Sequence, residues 1–170
     1  MDIGEVIRVR RSIRKYKAKR IEEDKLFRVL EAGRLSPSAG NKQPWHVIVI
    51  IDPEVREKMK EAYSRSWFYE APAILVVCVD PNVAWVRGDG EEYWKIDGAI
   101  AMQSMILQAT EEGLGTCWIG DFHEVAVKRI LEIPPHIRIV AMTPLGYPDE
   151  VKGKVTKRKE MNEIIHNNKW

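Results

Sequence analysis

Between Trp94 and Glu112 the chain reads WKIDGAIAMQSMILQATEE, with apolar side chains at 96, 99, 100, 102, 105, 106, 107 and 109. At helical spacing these positions cover more than one face. A helix that is apolar nearly all round belongs at the centre of a core or of a subunit interface, so the remaining elements have to be arranged around it. Two runs supply buried strands: Trp45–Ile51, closed by Asp52-Pro53, and a second opened by Ala71-Pro72 and running through about Val79. A third strand is expected over Ile137–Leu145, ended by Gly146-Tyr147-Pro148.

Helical spacing also marks a short segment around Ile3, Val6 and Ile7, a helix from Asp24 to Leu35, a charged helix from Pro53 to about Ser66, and a helix from His123 to Leu131. Residues 36–44 are dense in turn formers and read as a loop. Residues 80–92 are polar, contain glycine, and read as a surface loop or lid. The tail from Glu150 is basic (Lys152, Lys154, Lys157, Arg158, Lys159) and ends in a short amphipathic segment. No repeat or inter-domain linker interrupts this order, so residues 1–170 are expected to form one domain. Interleaved helices and strands leave a layered α/β or α+β architecture open.

Composition narrows the partners. Hydrophobic content of 45% and charged content of 31% are those of a soluble globular chain, and a net charge of +2 gives no argument for nucleic acid or membrane. No apolar run is long enough to span a bilayer and the N-terminus lacks a signal peptide's apolar centre, so the expected location is cytoplasmic. Cys78 and Cys117 show no paired spacing; Cys78 sits inside an apolar run, as a buried reduced thiol does. The four histidines (His46, His123, His136, His166) have no metal-ligand spacing, and no nucleophile constellation stands out, so neither a metal nor a catalytic side chain is expected.

The chemistry-bearing residues lie elsewhere. Arg10-Arg11-Ser12-Ile13-Arg14 puts three guanidinium groups and a hydroxyl within five residues. That fork of donors suits a phosphate, although the same residues would also serve as a solvated basic turn. Pro37-Ser38-Ala39-Gly40-Asn41-Lys42-Gln43-Pro44-Trp45 offers hydroxyl, amide and backbone donors just before a strand, either as a plain connection or as a ligand-holding loop. Gly113-Leu114-Gly115-Thr116-Cys117-Trp118-Ile119-Gly120 is not a dinucleotide fingerprint. Trp118 stands where a third glycine is needed, and the segment follows a helix where the fingerprint follows a strand. It reads better as a helix end leading into a strand, with Gly120 open to a flat ligand. Asp97 is placed by the positive end of its helix dipole rather than by catalysis. Trp67 and Trp85 lie in polar stretches and are candidates for covering a planar ligand.

Together these blocks resemble the nitroreductase family of flavin mononucleotide (FMN) enzymes. The resemblance runs through Arg10–Tyr16, Pro37–Trp45, Ala71-Pro72, Ile96-Asp97-Gly98-Ala99 with Met102-Gln103, Gly113–Gly120, and Leu145-Gly146-Tyr147-Pro148. It covers nearly the whole chain in order. It implies an α+β fold, a three-layer α-β-α sandwich around a mixed, mostly antiparallel sheet. It also implies a homodimer with FMN at the subunit interface and the long helix around Gln103 in the dimer core. Arg10 and Ser12, with Arg158 or else Lys157 from the tail, would hold the flavin phosphate, Arg11 would be a further cofactor-binding residue, and Arg14 would lie by the pyrimidine edge. Pro37, Ser38, Asn41 and Gln43 would approach from the other subunit, with Ile119 and Gly120 passing near N5. The chain departs from the family in being short, with residues 80–93 standing where larger members carry extra helices, and in lacking a proline in Lys157-Arg158-Lys159-Glu160-Met161.

The implied reaction is ping-pong hydride transfer from NAD(P)H through the flavin to an electron-poor small molecule such as a nitroaromatic or quinone. A fixed cation near the flavin's N1 and O2 would favour the charge that reduction places there. Dehalogenation or enone reduction on the same cofactor, and a non-catalytic flavin- or phosphate-binding module, are the alternatives.

Overall fold

Every residue of strand β2 (Ala73–Val79) is buried, a condition met only where a sheet is covered on both faces. In this computed structural model, which describes residues 1–153 and 155–170, so that Lys154 of the basic tail lies outside the described residues, β2 is an inner strand. It pairs on one side with β1 (Trp45–Ile50) and on the other with β4 (Arg138–Gly146), and β4 pairs in turn with the two-residue β3 (Gly115–Thr116). The order is β1-β2-β4-β3 and each of these pairs is antiparallel. A parallel bridge from Ser12 to Thr116 gives the sheet its mixed character.

The two-residue period of β2 divides the core. Ala73, Leu75 and Val77 face α2 (Glu23–Arg34) and α5 (Trp94–Glu111), where they meet Val29, Met102, Met105 and Ala109. Ile74, Val76 and Cys78 face the other way, toward Met59, Phe68 and Val127, brought there by α3 (Pro53–Lys58), α4 (Ser66–Tyr69) and α6 (Glu124–Ile130) with their adjoining turns. Helices on both faces of an antiparallel sheet make the α-β-α sandwich of an α+β protein. The short α1 (Ile3–Val9) lies beside α5.

Local signals explain most of the boundaries. Asp52 caps α3 by accepting from the Glu54 and Val55 amides, with Pro53 in the first turn. Where a single helix was expected from Pro53 to Ser66, α3 instead stops at Lys58, passes through a 3-10 turn at Met59–Glu61, and gives way to the separate α4. The break has a tertiary cause. Met59 and Ala62 are driven into the core, and the Ala62 carbonyl accepts from the His123 amide at 3.0 Å instead of continuing a helix. Residues 80–93 form an ordered turn. Val86 bridges Glu92, and Trp85 meets Tyr93 edge-on with ring centroids 4.8 Å apart. The amphipathic end of the tail contains only a 3-10 turn at Met161–Glu163. Both cysteines are free and buried, and burial pushes the Cys78 thiol up to about 12, which makes it inert at neutral pH.

α5 fits its groove because Gly98 lets it approach the sheet. A Cβ at Gly98 would stand 2.6 Å from Val140 Cγ2 and 2.9 Å from Val79 Cγ2, both on stiff side chains. Alanine there would gain about 1 kcal/mol in helix propensity. The overlap costs about 1–3 kcal/mol, and more where both neighbours are β-branched. Gly98→Ala is therefore expected to lower unfolding free energy in urea by up to about 2 kcal/mol; a raised midpoint would contradict this packing.

Candidate functional site

The arginine segment leaves α1 at Arg10 and is held along the β3 edge by its backbone. The Ile13 amide donates to the Thr116 carbonyl at 2.8 Å and the Lys17 amide to the Tyr147 carbonyl at 2.9 Å. Ile13 is buried against Gly115, where an added Cβ would come within 2.8 Å of its side chain. The segment after β4 grips from the far side. Lys152 donates to the Ser12 carbonyl at 2.9 Å, and Glu150 accepts from the Arg14 amide at 2.5 Å while pairing with Lys152 at 3.2 Å. Tyr16 donates to the Ile13 carbonyl at 2.6 Å, and burial pushes its phenol far above the usual range.

With the backbone fixed, the side chains divide. Arg11 and Ile13 line a cleft of about 270 Å³ with Gly115, Pro148 and Lys152. Arg10 and Ser12 are half-buried, and Arg14 is exposed with its guanidinium 5.8 Å from the centroid of the Trp67 ring. Arg20, Arg28, Arg34, Arg87, Arg129 and Arg138 each sit within ion-pair distance of a carboxylate. Among the described residues Arg10, Arg11 and Arg14 have no such partner; Arg8, Arg56, Arg65 and Arg158 share that lack, but Arg8 belongs to α1 and the other three are scattered along the chain. Three neighbouring cations on a rigid backbone are thus left without internal neutralisation, as an anion site requires.

The loop before β1 is held in an unusual conformation. Gly40, Asn41 and Gln43 have φ of 57°, 53° and 47°, the left-handed region that non-glycine residues enter at a cost of about 1–3 kcal/mol each. Ser38 Oγ accepts from the Gln43 amide at 2.9 Å, and the Gln43 side chain donates to the carbonyl and side-chain oxygen of Asn41, each at 3.2 Å. Asp97, on α5, accepts from the Ala39 amide at 2.9 Å, a contact that the dipole reading did not anticipate. A carboxylate within an otherwise apolar helix was the signal that could have found it. Pro37, Asn41 and Gln43 are exposed, and Ser38 is half-buried.

Ile119 and Gly120 have different environments. Ile119 exchanges both backbone hydrogen bonds with Met142, at 2.9 and 3.0 Å, and its side chain is in the core. Gly120 is exposed, its amide finds no acceptor among the described residues, and a Cβ there would meet only Trp118 Nε1, at 3.8 Å. Beyond it a polar cavity of about 550 Å³ is lined by Tyr63, Arg65, Asp121, Phe122 and His123. Lys157 and Arg158 are exposed on the tail, where Arg158 donates to the Lys157 carbonyl.

Sheet order separates these parts. The arginine segment lies on the β3 edge near the end of β4, whereas Pro37–Gln43 lies on the β1 edge at its start. Four strand spacings and a strand length put them about 19 Å apart across the sheet and about 20 Å along it. In one chain they occupy diagonal corners.

The arginine cluster, the left-handed polar loop and the open glycine amide are thus the candidate site features of this α+β sandwich. The sequence model of the Nitroreductase family matches residues 7–83 and 60–147. An Archaeoglobus fulgidus protein named as an NADH dehydrogenase/NAD(P)H nitroreductase is 35% identical, over 97% of each chain. A crystal structure of a nitroreductase family protein from Clostridium difficile 630 superposes over 100% of both chains with a TM-score of 0.93 and 30% identity. An FMN-dependent nitroreductase from Clostridium difficile R20291 covers 95% of this chain and 96% of its own, with a TM-score of 0.83 and 28% identity. The chain belongs to the nitroreductase family of oxidoreductases.

The clamp on the arginine segment has a pH signature. The Arg14 amide holds the Glu150 carboxyl below the usual carboxylate range, with Lys152 adding to the effect. A carboxylate depressed in the folded state contributes its stability above the unfolded pKa and loses it as pH falls through the folded value. Glu150→Gln is expected to cost about 1 kcal/mol near pH 7. The gap to wild type in urea unfolding should close as the buffer is taken below that depressed value. A gap that persists undiminished in acid would show that Glu150 acts through something other than its charge.

Proposed function

We propose that the protein is a homodimeric FMN enzyme that oxidises NAD(P)H and reduces an electron-poor small molecule, a nitroaromatic or quinone, in a ping-pong cycle in the cytoplasm. The observation that carries this reading is the set of three guanidinium groups without carboxylate partners on a backbone pinned from both sides. The residues present fit a flavin phosphate. Arg10 and Ser12 are half-buried donors, Arg11 adds positive potential from the neighbouring cleft, and the tail carries Lys157 and Arg158 as further cations. Arg14, resting against Trp67, supplies a fixed cation for the pyrimidine edge. Of the two residues expected near N5, Gly120 has the free amide and an unobstructed surface, while Ile119 holds that strand in register through Met142.

Bound FMN supplies the hydride chemistry. The protein's share is binding, orientation and charge, so no side chain needs to serve as an obligatory acid or base. The name of the Clostridium difficile R20291 relative supports FMN, and that of the Archaeoglobus fulgidus relative supports a nicotinamide donor. The dimer is favoured by the diagonal separation of the arginine segment from Pro37, Ser38, Asn41 and Gln43. A second copy would bring one protomer's loop to the other's arginines. Ile3 and Ile7 on α1, Ile96 on α5 and Phe27 and Leu35 at α2 are exposed apolar side chains suited to such an interface.

Purified protein supplied with FMN should show a flavin absorption spectrum that bleaches on anaerobic addition of NADH or NADPH. Absence of binding would discard the cofactor, and binding without bleaching by either nucleotide would discard the donor. Arg10→Ala, which removes charge-assisted hydrogen bonds of about 1.5–3 kcal/mol, should weaken FMN binding roughly tenfold to a hundredfold with the fold intact. Sedimentation velocity of the flavin-loaded protein should show a dimer; a monomer that keeps its flavin would overturn the shared site.

A further inference from the structure

Asp97 is the buried charge that the proposed chemistry leaves unused. Only 1% of it is exposed, and it lies in the first turn of α5 between Ile96 and the close-packed Gly98. One carboxylate oxygen accepts from the Ala39 amide at 2.9 Å, while the other is buried with no partner among the described residues. Core packing does not call for such a group. A carboxylate with half its hydrogen-bonding capacity unmet is costly in an apolar layer, and the positive end of the α5 dipole offsets only part of that cost.

The loop it reaches explains what it does. Gly40, Asn41 and Gln43 are all left-handed, a conformation that persists only where the surroundings enforce it. The bonds between Ser38, Asn41 and Gln43 are internal to the loop; its two feet are tied by Ser36 to Ser104 on α5 at 2.7 Å and by the Pro44 carbonyl, which accepts from the Asp80 amide at 2.9 Å, and neither holds the Ala39–Gln43 turn between them. Trp85 touches Gly40 from above, with its Cδ1 3.5 Å from where a Cβ would stand, but Trp85 belongs to a turn itself. Asp97 ties the loop by a charge-assisted hydrogen bond to the central helix.

We infer that Asp97 is a positioning residue: through the Ala39 amide it sets the Pro37–Gln43 loop on α5, so that Ser38 and Asn41 are presented to the cofactor at a fixed height above the subunit interface. This rests on the FMN reading.

The test compares Asp97→Ala and Asp97→Asn by fluorescence titration of FMN into apoprotein and by hydrogen–deuterium exchange of peptides spanning residues 37–43. The Ala variant should bind FMN tenfold or more weakly and exchange faster in those peptides alone. The Asn variant, whose amide oxygen still accepts from Ala39, should stay within threefold of wild type on both counts. If Asp97→Ala does not fold, Ala39→Pro removes the same donor at a position whose preceding Ser38 is already extended, as proline requires, and should reproduce the loosening. Wild-type affinity and exchange in the Ala variant would overturn the inference. So would faster exchange throughout the chain in both variants, which marks a general loss of stability. Wild-type protein that binds no FMN would refute the cofactor reading, and the exchange data would still decide whether Asp97 holds the loop.

Discussion

Because all seven residues of β2 are buried, both faces of the sheet must be roofed by helices, and where those roofs fall decides where a ligand can approach. The faces are closed by α2 and α5 on one side and by α3, α4 and α6 with their turns on the other. What stays open is the rim. The arginine segment, the left-handed loop and Gly120 all lie at strand ends or sheet edges, where backbone groups are not consumed by the ladder and side chains are not consumed by the core.

The rim segments are held mainly through their backbones. The arginine segment and Gly120 keep their polar groups spare, whereas the loop spends Ser38, Asn41 and Gln43 on its own hydrogen bonds. Ile13 packs on Gly115 and lends its amide to Thr116, leaving Arg10, Ser12 and Arg14 free. Ile119 locks to Met142 and leaves Gly120 bare. Asp97 takes the Ala39 amide and leaves the amide side chain of Asn41 at the surface. Had the arginines been held by carboxylates, as Arg28 is by Asp24 and Glu112, their charge would already be spent.

Much of this was legible in the sequence because it rests on period and punctuation. The unbroken apolar runs gave β1 and β2 within a residue or two, the all-round apolar pattern gave α5, and turn chemistry bounded the 36–44 loop. The motif order singled out the arginine segment, the loop and the Gly120 region, which the structure places at separate points of the sheet's rim. What escaped was decided at long range. Nothing local to Ala62 says that its carbonyl will be claimed by His123, so the broken helix after Lys58 could not be read from spacing. The division of labour between Ile119 and Gly120 depends on Met142, and the role of Asp97 depends on an amide 58 residues away. Glu150 and Lys152, which grip the arginine segment, looked like ordinary members of a charged tail.

That grip has a consequence for how the chain is made. Residues 12–17 are pinned to Thr116, Tyr147, Glu150 and Lys152, so they can be seated only after a segment far later in the sequence has been made. A helix such as α2 can close on local contacts within moments of synthesis, whereas the arginine segment has to wait for β4 and the turn after it. The nascent chain therefore carries its basic cluster loose until that later segment has emerged. The arginine-bearing edge comes into being as one of the closing events of folding.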